Sequence, residues 1–335
     1  MDLRGHLECG GLVRAQVALG RYVLRRLIQA VPLLLGISIA SFAILRAVPG
    51  GPTSVYESNP NITDEDIKRL EHAFGLDQPL PLQYLNWLGQ FVTGDWGYSY
   101  ISHRPVLALI GERLPNTITL MGSVFLTVLV LSLIIGTLTA VKQYSLFDHV
   151  VTGATFAFLS TPTFWLGLLL IIVFGLQLRL FPLGGMATLG APSDIGDRLR
   201  HLVLPVATIA LVQLGSHVRY LRASMLETIN QDYMRTARAK GLGEHIVIAR
   251  HALKNAAIPY VTVIALDLPE LFVGALVTEQ IFGWPGMGRL FWDSATRSDY
   301  PILMGILAVS STLIVLANLL ADVVYGYLDP RIRFG

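Results

Sequence analysis

Charge is scarce in this chain. Of its 335 residues, 14% are Asp, Glu, Lys or Arg against 53% hydrophobic, and the mean hydropathy is +0.56. A soluble domain carries about a quarter charged residues, so an ordinary water-soluble enzyme is excluded. One cysteine, Cys9, excludes an intrachain disulfide, a cysteine-based zinc site and an iron–sulfur cluster. The eight histidines are dispersed and HExxH is absent, so no histidine metal site is expected. No GxxxxGK(S/T) phosphate loop occurs, and the dipeptide Gly-Lys is missing altogether. Any ATP-driven work must therefore draw on another chain. No GxSxG elbow is present. The 25 basic residues nearly balance 23 acidic ones, without the clustered field of a nucleic-acid binder.

What is present in excess is uncharged length. Val150 to Leu178 and Leu114 to Val141 contain no Asp, Glu, Lys or Arg. About 20 residues at 1.5 Å each cross the hydrocarbon of a bilayer as a helix. The runs lack the period-two alternation of barrel strands. The fold class is therefore an all-α polytopic membrane protein with six transmembrane helices, near 24–47, 114–141, 150–177, 202–220, 257–279 and 301–324. The first apolar run starts near Leu27 with no small-x-small site after it, so no cleavable signal peptide is expected.

Six spans put both termini on one side. That side holds 15 of the Lys and Arg residues, seven of them between Arg219 and Lys254, which places it in the cytoplasm. The chain divides into a cytoplasmic tail (1–20), a first span with an outer cap (21–113), a five-helix core (114–326) and a cytoplasmic C-terminal tail (327–335). The core carries a cytoplasmic loop at 219–256.

In the cap, Thr63 and Asp66 are spaced as a capping box, Ile67, Leu70 and Phe74 share a face, and Gly75 is placed to stop the helix. A second amphipathic stretch runs from Gln83 to Phe91, before Gly94–Gly97. The cap is expected to be too small to bind a substrate alone. A second outer loop covers 181–201, with Pro182, Gly184, Gly185 and Pro192. Gly136 and Gly153, with small neighbours, read as helix-packing positions. No internal repeat is visible.

The loop 219–256 is the informative segment. Helix formers run from Leu221 to Lys240, Gly241–Leu242–Gly243 breaks them, and a second helical stretch runs from Glu244 to Asn255. Two short helices meeting at a glycine make a knob for a partner's groove; the plain alternative is an extension of the spans with no partner. Here the residues resemble a family. Asp232 to Leu242 (DYMRTARAKGL) and Arg250 to Ala256 (RHALKNA) are similar to the EAA loop of ABC importer permeases. Arg235, Thr236 and Ala237 fall at the Glu-Ala-Ala positions, Gly241 at the glycine and Lys254 at the proline. The form is that of the B-type permeases of dipeptide, oligopeptide and nickel importers. LDQPLP at 76–81, ERLPNT at 112–117, TEQIFGWPGMG at 278–288 and YLDPRIR at 327–333 resemble the same family in order.

The resemblance implies a type I ABC importer permease fold in a bacterial or archaeal inner membrane. It implies a second homologous permease, one fused or two separate ATPase subunits, and an extracytoplasmic binding protein. No cofactor belongs to this chain; ATP and Mg would sit on the ATPases. The coupling helix would run from about Leu242 to Ala249, with the ATPase met by Arg235, Ala237, Arg238, Gly241, Leu242, Gly243, Glu244 and His251. A Cβ at Gly241 is expected to force the two helices apart, unless the glycine is an ordinary helix cap.

Asp267 and Glu270 stand at i and i+3 of the fifth span, Asp267 about 16 Å in from Ala256. Carboxylates at that depth are costly and point either to a pathway or to polar neighbours. Glu279 and Asp322 read as interfacial anchors, and His217 as facing a polar neighbour. Trp284 and Trp292 are candidates for docking the binding protein, although interfacial aromatics also serve lipid contact. Peptides are the expected cargo, with nickel, glutathione and oligosaccharide as alternatives. An ion-coupled carrier or channel using Asp267 and Glu270 leaves the loop unexplained, and a scaffold leaves the mid-span acids unexplained.

Overall fold

In lipid every backbone N–H and C=O must be satisfied within its own segment, so the uncharged runs fold as helices. The computed structural model describes residues 4–47, 63–73, 75–188, 190, 194–269 and 276–328. Among these no strand occurs beyond a bridge between Tyr98 and Pro105. The helices are α1 (Arg4–Ala47), α2 (Asp64–Ala73), α3 (Leu80–Thr93), α4 (Val106–Val141), α5 (Leu146–Leu159) and α6 (Thr163–Leu170). They continue with α7 (Ile195–Ile229), α8 (Asp232–Ala239), α9 (Glu244–Ile246), α10 (Lys254–Ala265), α11 (Leu276–Ile281), α12 (Met287–Thr296) and α13 (Tyr300–Leu328). Wide i→i+5 turns extend α6 over Ile171–Gln177 and join α9 to α10 over Val247–Leu253.

Four stretches are long and apolar enough to cross a membrane: Val23–Ala47, Val106–Val141, Ile195–Ile229 and Tyr300–Asp322. The span expected at 150–177 is not one rod. It is α5 and α6, bent by 109° at the break between them. Pro162 explains the bend, because it has no N–H to donate and drives Thr161 out of the helical region. The span expected at 257–279 falls on α10 and α11, with 270–275 outside the described residues. Among the described residues the count is four spans, or five with the bent pair, and the expected six are not confirmed.

The chain forms two compact units. The first comprises Met1–Pro115 with Leu290–Leu319, the second Asn116–Arg289 with Leu320–Pro330. In the first, the Thr63 hydroxyl accepts from the Asp66 N–H at 3.3 Å while Asp66 accepts from the Thr63 N–H at 3.1 Å, which is the expected capping box. Helix α3 starts three residues earlier than its pattern indicated, with Pro81 in its first turn, and ends at Gly94 with φ +89°. Buried Asp299 accepts from the Ser99 hydroxyl at 2.5 Å and the Tyr100 N–H at 3.1 Å.

In the second unit, α7 is the central element. Gly136 of α4 faces it so closely that a Cβ would lie 3.0 Å from Leu221, as its packing reading expects, whereas Gly153 has open space. Gly215 of α7 meets α5, where a Cβ would stand 2.8 Å from the Thr155 carbonyl. Arg222 of α7 donates two bonds, 2.9 and 2.7 Å, to buried Asp148 of α5. This bidentate pair fixes the start of α5 to α7.

Candidate functional site

The cytoplasmic loop folds onto the second unit's core. Helix α7 stops at Ile229, where Asn230 caps it and Gln231 turns extended (φ −75°, ψ 150°) before α8 begins. A single helix from Leu221 to Lys240 is thus corrected to two. Met234 and Ala237, at i and i+3 of α8, are buried against Leu221, Met225, Val247 and Ala252. Burying Met234 contributes about 1.5–3 kcal/mol. Ala237 therefore packs inward and presents nothing to a partner, contrary to its expected coupling role. Tyr233, Arg235, Arg238, Gly241, Leu242, Gly243 and Glu244 face solvent, and His251 is half-buried.

Gly241 has φ +75°, and nothing lies within 4 Å of the position its Cβ would take. The expected clash is thus absent. The glycine is required by the left-handed backbone, which L side chains adopt at a cost of about 1–2 kcal/mol. Gly241 N–H closes the turn on the Arg238 carbonyl at 2.9 Å. Across the turn, Arg238 donates to both oxygens of Glu244 at 2.9 and 3.2 Å. That bond holds Glu244 below the usual carboxylate range and raises Arg238. Two residues assigned to the ATPase are thus already partners of each other. The next helix begins at Glu244, so Leu242 and Gly243 precede it and the expected coupling helix loses its first two residues. The Ser224 hydroxyl bonds the Ala256 carbonyl at 3.0 Å, tying α7 to α10.

Asp267 lies beyond the end of α10, in a tightened turn where the Leu266, Asp267 and Leu268 N–H groups bond three residues back. Pro269 accounts for the helix ending here, since the residue before proline is disfavoured in α conformation. Asp267 therefore stands in this turn and not within α10, while Glu270, its expected i+3 neighbour, lies outside the described residues. The partner of Asp267 is His217, its Nε2 3.0 Å from a carboxylate oxygen. His217 is 7% exposed, and its Nδ1 is buried without a hydrogen bond among the described residues. Tyr260 stands edge-on to the imidazole at 6.0 Å and bonds Ser132 through its hydroxyl. Gln213, Met121 and Phe125 close a gap of about 10 Å³ beside the pair, room for about one water. Sequence reasoning gave His217 little weight. The signal was Gln213 and His217 at i and i+4 within an apolar span.

The turn after α11 corrects two further expectations. Glu279 is not an interfacial anchor: it is 0% exposed and accepts from the Thr117 hydroxyl at 2.7 Å and the Arg289 N–H at 3.0 Å. Thr117 in turn accepts from Met287 N–H at 2.7 Å. Trp284 is also 0% exposed, its Nε1–H on the Asn116 carbonyl at 3.0 Å, so it offers no docking face. Gly288 is obligatory here, because a Cβ would meet the Leu276 Cα at 2.6 Å. Trp292, of the other unit, is 46% exposed. Among the described residues no three His, Cys, Asp or Glu side chains are grouped to hold a metal.

Comparison with known proteins places this geometry. Residues 132–334 match the family described as "Binding-protein-dependent transport system inner membrane component", and residues 19–121 match its N-terminal counterpart. The oligopeptide transport system permease protein AppB of Bacillus subtilis is 43% identical over 314 residues, covering 93% of this chain and 99% of the relative. A putative peptide permease protein of Brucella suis is 39% identical, covering 93% and 99%. The dipeptide transport system permease protein DppB of Escherichia coli K12 is 36% identical, covering 93% and 98%.

Proposed function

The chain belongs to the family of binding-protein-dependent transport system inner membrane components, and from that premise we propose that it carries di- or oligopeptides. It is a multi-pass permease subunit of an ABC importer and is not itself the ATPase. The peptide cargo rests on relatives whose names specify peptides, oligopeptides or dipeptides. In this reading a second homologous permease completes the pathway, one fused or two separate ATPases bind below, and a binding protein delivers cargo from outside. Both termini lie in the cytoplasm, by the distribution of Lys and Arg.

Coupling runs through the knob of α8, the Gly241 turn and α9. ATP-driven closure biases the spans only through an element that is both stiff and docked. The observation that carries the reading is the knob's two-sidedness. Met234, Ala237 and Val247 root it in the core, while Tyr233, Arg235, Gly241 and Leu242 stand free to meet a partner. Asp267 and His217 belong to the pathway, as a polar pair at the end of a broken helix inside the membrane. Irregular backbone at that depth is tolerated where it is buried in protein or lines a cavity. An ion-coupled carrier would leave the rooted knob without a task.

The test uses the reconstituted importer with two substitutions at one position. Asn tolerates the left-handed backbone and β-branched Val does not. Gly241→Asn is expected to keep peptide-stimulated ATP hydrolysis within about twofold, whereas Gly241→Val loses about tenfold through the strained turn. Equal activity of the two variants, or wild-type protein that transports peptide with no ATPase bound, would sink the reading.

A further inference from the structure

The first unit contains a cation, Arg46, that the proposed coupling knob and pathway pair do not involve. Arg46 ends α1, its guanidinium 5.3 Å from the centre of the Phe42 ring, and no carboxylate pairs with it among the described residues. The titratable groups that reach it are the phenols of Tyr100 and Tyr300. A cation in the last helical turn is favoured by the helix dipole, which explains its position but not the space around it. Arg46 borders a cleft of about 1100 Å³ whose walls include Trp87, Trp96, Tyr100 and Tyr300. Trp87 and Trp96 of that wall belong to a run of rings, Tyr84–Trp87–Phe91–Trp96, with successive centroid distances of 6.0, 5.3 and 4.5 Å. This hollow is larger than the short cap led us to expect.

A second hollow continues from the first. Trp87 and Met304 line both, and beyond them a groove of about 210 Å³ runs between α1, α3 and α13. Its walls are apolar: Val31, Leu34 and Leu35 of α1, Leu88 and Phe91 of α3, Leu307 of α13. Along α1, the distance from Val31 to Arg46 is about 22 Å. One leaflet with its headgroup region measures about 20–22 Å, half of the full bilayer. Helix α3 fits the same setting. It carries no charged residue and exposes Leu80, Leu82, Leu85 and Val92, a face suited to a membrane interface and not to water.

We propose that cleft and groove form one site for an anionic phospholipid, with its phosphate on Arg46 and one acyl chain lying between α1, α3 and α13. The site couples a cation to an apolar channel at one leaflet's length, and that combination selects an amphiphile. A peptide's carboxylate would satisfy Arg46 but leave the groove unfilled. A zwitterionic lipid would fill the groove but bring its own cation to Arg46. The aromatic run sits at the junction, where amphipathic rings are favoured by the headgroup boundary. This site is independent of the cargo reading, since it concerns neither Asp267 nor the cytoplasmic knob.

The test is lipid retention by the purified importer complex in mild detergent, read by native mass spectrometry with phosphatidylglycerol and phosphatidylcholine supplied as probes. Wild type is expected to hold one phosphatidylglycerol in preference to phosphatidylcholine. Arg46→Gln removes a charge-assisted contact and should weaken that retention about tenfold, with loss of headgroup preference. Ala308→Phe fills the groove from α13 without touching Arg46 and should reduce retention of both lipids. Arg297→Gln, at an exposed arginine of the same unit, should change nothing. Independently, phosphatidylglycerol with brominated chains should quench a fluorescence component that disappears in Trp87→Phe. Equal retention of the two lipids by wild type would overturn the proposal. So would unchanged retention in both Arg46→Gln and Ala308→Phe. Displacement of the lipid by a free tripeptide would reassign the cleft to cargo, and protection of the groove that requires the second permease and no lipid would reassign it to a subunit interface.

Discussion

Asp267 and Glu279 are both acidic groups in the stretch that follows the cytoplasmic loop, yet their surroundings differ in kind. Glu279 is wholly buried and its oxygens are engaged by Thr117 and the Arg289 N–H, in a cluster that also takes in Met287, Trp284 and Asn116. Asp267 has a side chain 34% exposed and, among the described residues, one ionisable partner, His217, whose other ring nitrogen is buried without a hydrogen bond among those same residues. A saturated polar cluster in low dielectric is rigid, and each member depends on the rest. A half-satisfied pair beside a water-sized gap can exchange a partner without dismantling its surroundings. The first arrangement locks a turn; the second is the kind of pair that the proposed pathway role requires.

The largest expected effect breaks the lock. Glu279→Ala strands the Thr117 hydroxyl and the Arg289 N–H in a buried site, and should cost about 3–5 kcal/mol. Thermal unfolding of the detergent-solubilised protein, followed by Trp284 emission, would register it as a large fall in Tm. A near-wild-type transition would remove the distinction drawn above. Asp267→Asn is the sharper half of the comparison. Asparagine keeps the shape and a hydrogen-bond acceptor for His217 while deleting the charge, so stability should change by under about 1 kcal/mol. Peptide uptake into proteoliposomes should nevertheless fall about tenfold, the equivalent of one charge-assisted contact in the pathway. If Asp267→Asn unfolds as Glu279→Ala does, both acids are structural.

The sequence made the helical skeleton readable, because uncharged length and helix-stop residues are local signals. Thr63 and Asp66 form their capping box, and Gly241 sits where the loop turns. What escaped depended on distant partners. Trp284 and Trp292 look alike as aromatics near a membrane surface, but the Asn116 carbonyl and the packed turn make one of them interior. Glu279 near a span end reads as an anchor until Thr117 is placed against it. The break at Asn230–Gln231 went unseen because neither residue interrupts a helical pattern by itself. At Pro269 the signal is local: the helix ends at Ala265 and leaves Asp267 in the turn that follows.

The smallest effect belongs to the solvent-facing counterpart of these acids, Glu244. Its folded pKa is depressed by the bond from Arg238, so the pair's contribution is complete above the ordinary carboxylate range. It is lost only as pH falls below that range and through the lowered folded value. Amide exchange of the turn at 240–247 should therefore show protection, after correction for intrinsic exchange, that is flat across neutral pH and declines in acid. The whole effect should remain small, since both side chains are open to solvent and salt screens them. Glu244→Gln should abolish the acid decline while leaving Met234 buried and the knob rooted. A decline that persists in Glu244→Gln would assign it to another group, and would leave the rigidity of the knob to its apolar face and the Gly241 turn alone.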